Sequence, residues 1–283
     1  MPRTKQELKA AACAAIDKNK DKIFAIGDSI YNEPELGYKE VKTAAKLSAL
    51  LTEAGIEHRT EVAITGVVAP LKGRNSKVRV AVMGELDAVV SPLHPNADPV
   101  TNAAHACGHN CMIAALSGVA LALKEADIMA ELDGDVVLMG VPAEEYVEIE
   151  YRHGLKEEGK IHFLGGKPEF IRLGELDDID MLVMQHTTDS IGSERWASCG
   201  GAANGFVGKL IRYKGQEAHA GGAPHRGINA LNAAQLGLAA VNAQRETFKD
   251  DDHIRVHPII TKGGDLVNVV PADVRLETYV RGS

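Results

Sequence analysis

The stretch DVVLMGVPAEE, residues 135–145, runs from a continuous apolar segment straight into two adjacent carboxylates, Glu144 and Glu145. An unbroken apolar run of this length suits a strand covered on both faces, as in a parallel sheet between layers of helix. The same arrangement recurs twice. KVRVAVMG (77–84) is a β-branched run that leads into Glu85 and Asp87 of GELDA, and DMLVMQ (180–185) leads into His186. In a parallel sheet all three strand ends share one edge, where α/β proteins place their sites.

Working outward, Leu47, Leu50, Leu51 and Ala54 form a helical stripe that Gly55 stops. IEHRTEV (56–62) and GVVAPLKG (66–73) read as short strands on either side of a turn. Met112, Ala115, Leu116, Val119, Ala120 and Leu123 share one helical face, so a helix follows HACGHN (105–110) directly. From about residue 200 the texture changes. GFVGKLIRYKG alternates like a half-exposed strand, NALNAAQLGLAAVNAQ is helical, and HPIITKGG and DVRLETYVRG read as two further strands. This β-α-β-β order predicts an α+β sheet with one open face. A boundary is expected near 195–203, within ERWASCGGA, giving a site-bearing domain over 1–199 and a second domain over 200–283.

Bulk properties exclude several classes of function. A formal charge of −8 over 283 residues argues against general binding to nucleic acid or anionic membranes. No apolar run reaches spanning length, and the N-terminal stretch reads as a charged amphipathic helix without the apolar core of a signal peptide. Four cysteines (Cys13, Cys107, Cys111, Cys199) are too few for a disulfide scaffold and point to a reducing, cytoplasmic setting.

HACGHN sits in the loop that opens the next helix after KVRVAVMG and can reach the edge that carries Glu85, Asp87, Glu144, Glu145 and His186. Crowded carboxylates repel one another, and a divalent cation removes the conflict. A donor set of Cys107, His109, Glu145 and His186, with Glu85 and Asp87 near by, suits zinc or manganese better than calcium or magnesium. It also exceeds what one four-coordinate ion uses, which points to two ions and to hydrolysis. One carboxylate of the doublet would bind metal and the other take a proton from water. Two other readings stay open: Cys107 as a nucleophile with His109 as its base, and a non-catalytic protein that binds a small carboxylate or a partner.

Seven motifs in order, NEPELGYKE (32–40), GELDA (84–88), HACGHN (105–110), PAEE (142–145), His186, AHAGGAPHRGINA (218–230) and NVVPADVRLETYVR (268–281), resemble the M20 family of metallopeptidases and amidohydrolases. The resemblance is to the Cys-Gly-His branch of aminoacylase-like, auxin-conjugate and aminobenzoyl-glutamate hydrolases. It implies a helix-flanked, mostly parallel catalytic sheet of the zinc-exopeptidase type with an inserted α+β lid and dimerisation domain. It also implies two divalent ions, zinc or manganese, with Cys107 bridging them and His109, Glu145 and His186 as further ligands. Glu144 would be the general base, and Asp87 would orient a ligand imidazole. Glu85 stands where other branches carry a metal-binding histidine. His219 would reach a partner subunit's site in a homodimer and steady the oxyanion. Asn268 and Arg281 would hold a substrate carboxylate.

Three features depart from the pattern. Asn110 stands where many relatives of the branch carry Asp. The segment between Glu145 and His186 is long, charged and glycine-punctuated, and is expected to be a loop shaping the pocket. The chain stops at Ser283, before the segment that in the family returns to the catalytic domain with one more histidine ligand, so a fragment is expected. The implied activity is hydrolysis of small N-acyl amino acids, aminobenzoyl-glutamate-like amides or dipeptides.

Overall fold

The computed structural model describes residues 2–188, 197, 199–200 and 203–283, and the chain divides into two compact units, Met1–Ile191 and Gly192–Ser283. Most of the ERWASCGGA stretch lies outside the described residues.

The first unit begins with three helices, α1 (Lys5–Lys18), α2 (Lys20–Tyr31) and α3 (Val41–Glu53). Strands β1 (Arg59–Val62), β2 (Gly66–Leu71) and β3 (Arg79–Glu85) follow, then the two-residue strands β4 (Val89–Val90) and β5 (Ala103–Ala104). Helix α4 (His109–Glu125) and strand β6 (Asp135–Val141) come next. The unit ends with α5 (Ile149–Glu157), α6 (Gly166–Arg172) and β7 (Met181–Met184). Its main sheet has the order β1-β2-β6-β3-β7. The three strands singled out in the sequence, β6, β3 and β7, are parallel. β1 and β2 join them as an antiparallel hairpin, so the sheet is mixed rather than mostly parallel.

The apolar continuity of β6 has a direct cause. Leu138 faces a core built with Leu47, Leu51, Ile113 and Leu116 of α3 and α4, while Val137, Met139 and Val141 face a second core capped by Phe170 of α6. β7 departs from the expectation of cover on both faces. Among the described residues it is an edge strand paired to β3 alone, and Met181, Leu182, Val183 and Met184 are all exposed.

The segment between Glu145 and His186 is also not the loop expected of it, since it carries α5 and α6. Its helical pattern is disguised because the three buried positions of α5 are Ile149, Arg152 and Leu155, with a charged residue in the middle of the inward stripe.

In the second unit, β8 (Gly205–Lys214), α7 (Ala230–Gln244), β9 (Arg255–Lys262) and β10 (Asp273–Gly282) occur in the order read from the sequence. The sheet is antiparallel with β10 central, in the order β8-β10-β9. Asn229 caps α7, its side chain accepting from Asn232 N–H at 3.0 Å. The helix packs through Ala230 and Ala234 onto Val274 and Leu276 of β10. Small residues on the helix let it lie close to the sheet, which is why so few side chains suffice for this core.

Candidate metal centre

Parallel pairing sets β3, β6 and β7 with their C-terminal ends on one edge: Glu85 is level with Val141, and Met83 with both Met139 and Met184. The chain leaves each end into a polar segment, GELDA, PAEE and His186. α4 begins at the same edge, with Gly108 as its N-cap in the left-handed region at φ 85°. A Cβ on Gly108 would lie 2.2 Å from the Thr187 hydroxyl oxygen, so only glycine gives both this turn and this approach. The turn throws Cys107 and His109 towards His186. Gly108→Ala is therefore expected to cost more than about 1 kcal/mol of stability and to weaken metal binding, measured by thermal unfolding and metal titration. Unchanged affinity would show that the turn does not set the ligands.

Seven sequence-selected residues meet here. One ligand atom each from Cys107, His109 and His186 lie within 4.8 Å of one another, and the same holds for Glu85, His109 and Glu144. Cys107 Sγ is 3.4 Å from His186 Nε2. His109 is fully buried. Its Nδ1 sits 2.8 Å from the Asp87 carbonyl oxygen and 3.3 Å from Asp87 Oδ1. Its Nε2 lies 4.0 Å from both Glu144 Oε2 and Glu145 Oε1. Asp87 Oδ2 also accepts from the Glu145 N–H at 2.9 Å, so one carboxylate ties the imidazole to the doublet.

The donor set fits a divalent cation. His109 Nε2 and Glu85 Oε2 face each other at 2.9 Å, both buried, and Asp87 Oδ1 is buried without a hydrogen-bond partner among the described residues. Buried atoms of ligand type with no hydrogen bond are costly unless a cation meets them.

The electrostatics agree. Burial disfavours the charged imidazole of His109, but hydrogen bonds and charge from Asp87 and Glu85 outweigh it and hold its pKa at about 11. Burial, then the Glu145 carboxylate, push the Cys107 thiol up to about 11. Burial and the neighbouring Glu85 charge raise Glu144. A divalent ion reverses this order, because it favours thiolate and neutral imidazole together.

Three residues that frame the site were not singled out in the sequence. Glu40 is buried in the NEPELGYKE motif, where it accepts from the Ala143 N–H at 2.7 Å and the Thr65 hydroxyl at 2.6 Å. Burial and the Asp87 charge push it up to about 7. Arg152 of α5 is fully buried beneath the doublet and donates to the carbonyl oxygens of Glu145 (2.5 Å), Leu164 (2.9 Å) and Ala143 (3.4 Å). Lys167 of α6 pairs with Glu85 and lies 3.5 Å from Glu144 Oε1. Position in NEPELGYKE was the only signal for Glu40, and a long polar segment hid the other two. His105 is buried with both ring nitrogens unpartnered, and burial followed by the His109 charge bring it down to about 4.

His219, Asn268 and Arg281 belong to the second unit. His219 Nδ1 accepts from the N–H groups of Gly221 (3.2 Å) and Gly222 (2.9 Å). The Ala220 N–H donates to the Asn268 carbonyl oxygen at 2.9 Å, so His219 and Asn268 lie on adjoining segments. Arg281 is near the other end of β10, its guanidinium over the rings of Phe206 (5.6 Å) and Tyr279 (5.7 Å). From Asp273 to Arg281 an extended strand covers ~26 Å. Asn268 precedes the first residue of β10 and Arg281 lies near the far end of that strand.

Residues 201–283 match the peptidase dimerisation domain model of the M20 family. The chain is 28% identical over 285 residues to the mouse (Mus musculus) Xaa-Arg dipeptidase, covering 97% of this chain and 58% of that protein. It is 29% identical over 264 residues to IAA-amino acid hydrolase ILR1-like 4 of Arabidopsis thaliana, covering 90% of this chain and 54% of that one. The chain thus spans little more than half the length of these curated relatives. Among solved structures it is similar in fold to a Bacillus subtilis protein described as a dinuclear metal binding peptidase from the M20 family. That likeness has a TM-score of 0.56 and 24% identity, over 92% of this chain and 64% of the other. The second unit thus matches the M20 dimerisation domain on its own sequence, and hydrolase relatives align along nearly all of the chain.

Proposed function

We propose that the protein is a metal-dependent amide hydrolase acting on small N-acyl amino acids, aminobenzoyl-glutamate-like amides or dipeptides. The observation that carries this reading is the meeting of Cys107, His109 and His186 with the Glu144-Glu145 doublet at the C-terminal edge of three parallel strands. Cys107, His109, Glu145 and His186 would hold two divalent ions, with the thiolate favouring zinc and the carboxylate also admitting manganese. When bound, such ions acidify water and polarise an amide carbonyl.

The chain's own residues do the rest. Glu144, with its pKa raised by burial and by Glu85, accepts the proton of water as oxygen bonds to the amide carbon. It then passes that proton to the nitrogen as the C–N bond breaks. Asp87 keeps the His109 ring in place through Nδ1 and steadies the doublet through the Glu145 N–H. His219 steadies the oxyanion, and Asn268 and Arg281 bind the terminal carboxylate. The placement of Asn268 before β10 and of Arg281 near its far end supports a homodimer in which His219 and Asn268 of one copy serve a site with Arg281 of the other. The four free cysteines support a cytoplasmic setting, and no helix among the described residues is long and apolar enough to cross a membrane.

A thiol hydrolase is less well supported. Burial and Glu145 disfavour the Cys107 thiolate, whereas nucleophilic cysteines sit in electropositive surroundings. His109, its supposed base, is engaged by Asp87.

The test is metal content by elemental analysis, together with release of amino acid from N-acyl amino acids and dipeptides. About two equivalents of zinc or manganese are expected, falling in Cys107→Ser and Glu145→Ala, with hydrolysis lost in parallel. A folded chain that binds no added metal would overturn the reading and favour a non-catalytic carboxylate- or partner-binding protein.

A further inference from the structure

Lys167 takes no part in the proposed reaction, yet the fold puts its ammonium among the carboxylates. It is the second residue of α6, and the start of that helix is clamped to the PAEE loop. The Gly166 N–H donates to the Ala143 carbonyl oxygen at 3.2 Å. A Cβ on Gly166 would come within 1.8 Å of the Pro142 carbonyl oxygen, so the two backbones are in contact. From this anchor Lys167 Nζ pairs with Glu85 Oε1 and lies 3.5 Å from Glu144 Oε1, while Glu85 Oε2 faces His109 Nε2 at 2.9 Å. Glu85 is almost fully buried, and Glu144 is about one-third exposed.

Glu85, His109 and Glu144 are arranged as a possible metal site in their own right. A cation there would draw in the carboxylate of Glu144 and use up the lone pair that must accept a proton from water. A fixed ammonium answers the same negative charge without forming a coordinate bond, and it has no acceptor of its own to offer a metal.

We propose that Lys167 is a built-in cation that holds the Glu85–Glu144 pair, keeps a divalent ion off those two carboxylates, and so leaves Glu144 free as a base. The occupancy of the pair by Lys167 stands on the geometry, and the consequence for Glu144 rests on the function proposed above. Lys167 is a positioning residue on this account, since it acts through Glu144.

The experiment is a titration of the purified full chain, stripped of metal, with Mn2+ followed by calorimetry and by elemental analysis after dialysis. Wild type, Lys167→Met, Lys167→Arg and the double variant Lys167→Met/Glu85→Gln are compared. Lys167→Met is expected to take up one additional, weaker equivalent, and to lose turnover with little change in KM as that equivalent fills. Lys167→Arg keeps the wild-type stoichiometry, because a guanidinium is also a fixed cation. Adding Glu85→Gln removes the extra equivalent, which locates it.

Equal stoichiometry and affinity in wild type and Lys167→Met would overturn the inference while leaving the hydrolase reading intact. A wild type that binds nothing beside a Lys167→Met variant that binds one ion would support the inference and overturn the hydrolase reading. If neither protein binds metal, both fall.

Discussion

Glu144→Gln is expected to lower kcat for amide cleavage by about 10²–10⁴-fold, the usual contribution of a positioned general base. KM, metal content and melting temperature should stay near wild type. The substitution keeps the shape and removes the proton acceptor. It also leaves Cys107, His109, Glu145 and His186 in place as ligands, so loss of turnover without loss of metal separates base from ligand. Glu145→Gln provides the contrast, with metal and turnover falling together. A Glu144→Gln protein with more than a tenth of wild-type kcat would remove Glu144 from the mechanism and send the search for a base to Glu85 or Asp87.

The second large effect is on stability. Arg152→Met should cost on the order of 3 kcal/mol, because it strips donors from carbonyl groups buried beneath the site, each worth ~1–3 kcal/mol when left unsatisfied. For a unit of this size that is a fall of roughly 6–12 °C in melting temperature. Methionine fills much of the volume, so the loss reports the guanidinium more than a cavity. Arg152→Lys should recover only part of it, since one ammonium cannot reproduce a planar fork that meets the Ala143, Glu145 and Leu164 carbonyls. Gly37→Ala offers an independent check. A Cβ there would crowd Arg152 Nη2 and Ala143 Cα, so it should displace the same guanidinium and the loop that it holds. Thermal unfolding of the variants decides the matter. A shift of Arg152→Met within about 2 °C of wild type would mean that water or neighbouring groups replace the donors.

The two residues show why some of the site was readable in the chain and some was not. Glu85, Asp87, Glu144, Glu145 and His186 each follow an apolar run, and a run that ends in acid or imidazole is a local signal. Cys107 and His109 carry a local signal too, since Cys-Gly-His opens an apolar helical stripe. Arg152 and Lys167 have none. Arg152 stands among Glu, Tyr and His, and Lys167 follows a pair of glycines, so by composition both read as solvated surface. Their partners are fixed only when α5 and α6 dock against the PAEE loop. The exposure of β7 likewise has no local cause, because DMLVMQ is as apolar as DVVLMGV. Its position at the sheet edge makes the difference.

What the sequence by itself determined is therefore the three parallel strands, α3, α4 and the elements of the second unit, their order, and the donors that follow the strands. Periodicity and turn residues act over a few positions, and strand ends in a parallel sheet must share an edge. Tertiary structure decided which face of each strand is covered, how the β1–β2 hairpin makes the sheet mixed, and which charges neutralise the centre. Glu85 and Lys167 are 82 positions apart in the chain, and no local rule relates them. They meet because α6 packs on the sheet through Phe170, and long-range burial of that kind, driven by apolar area, carries no signature at either charged residue.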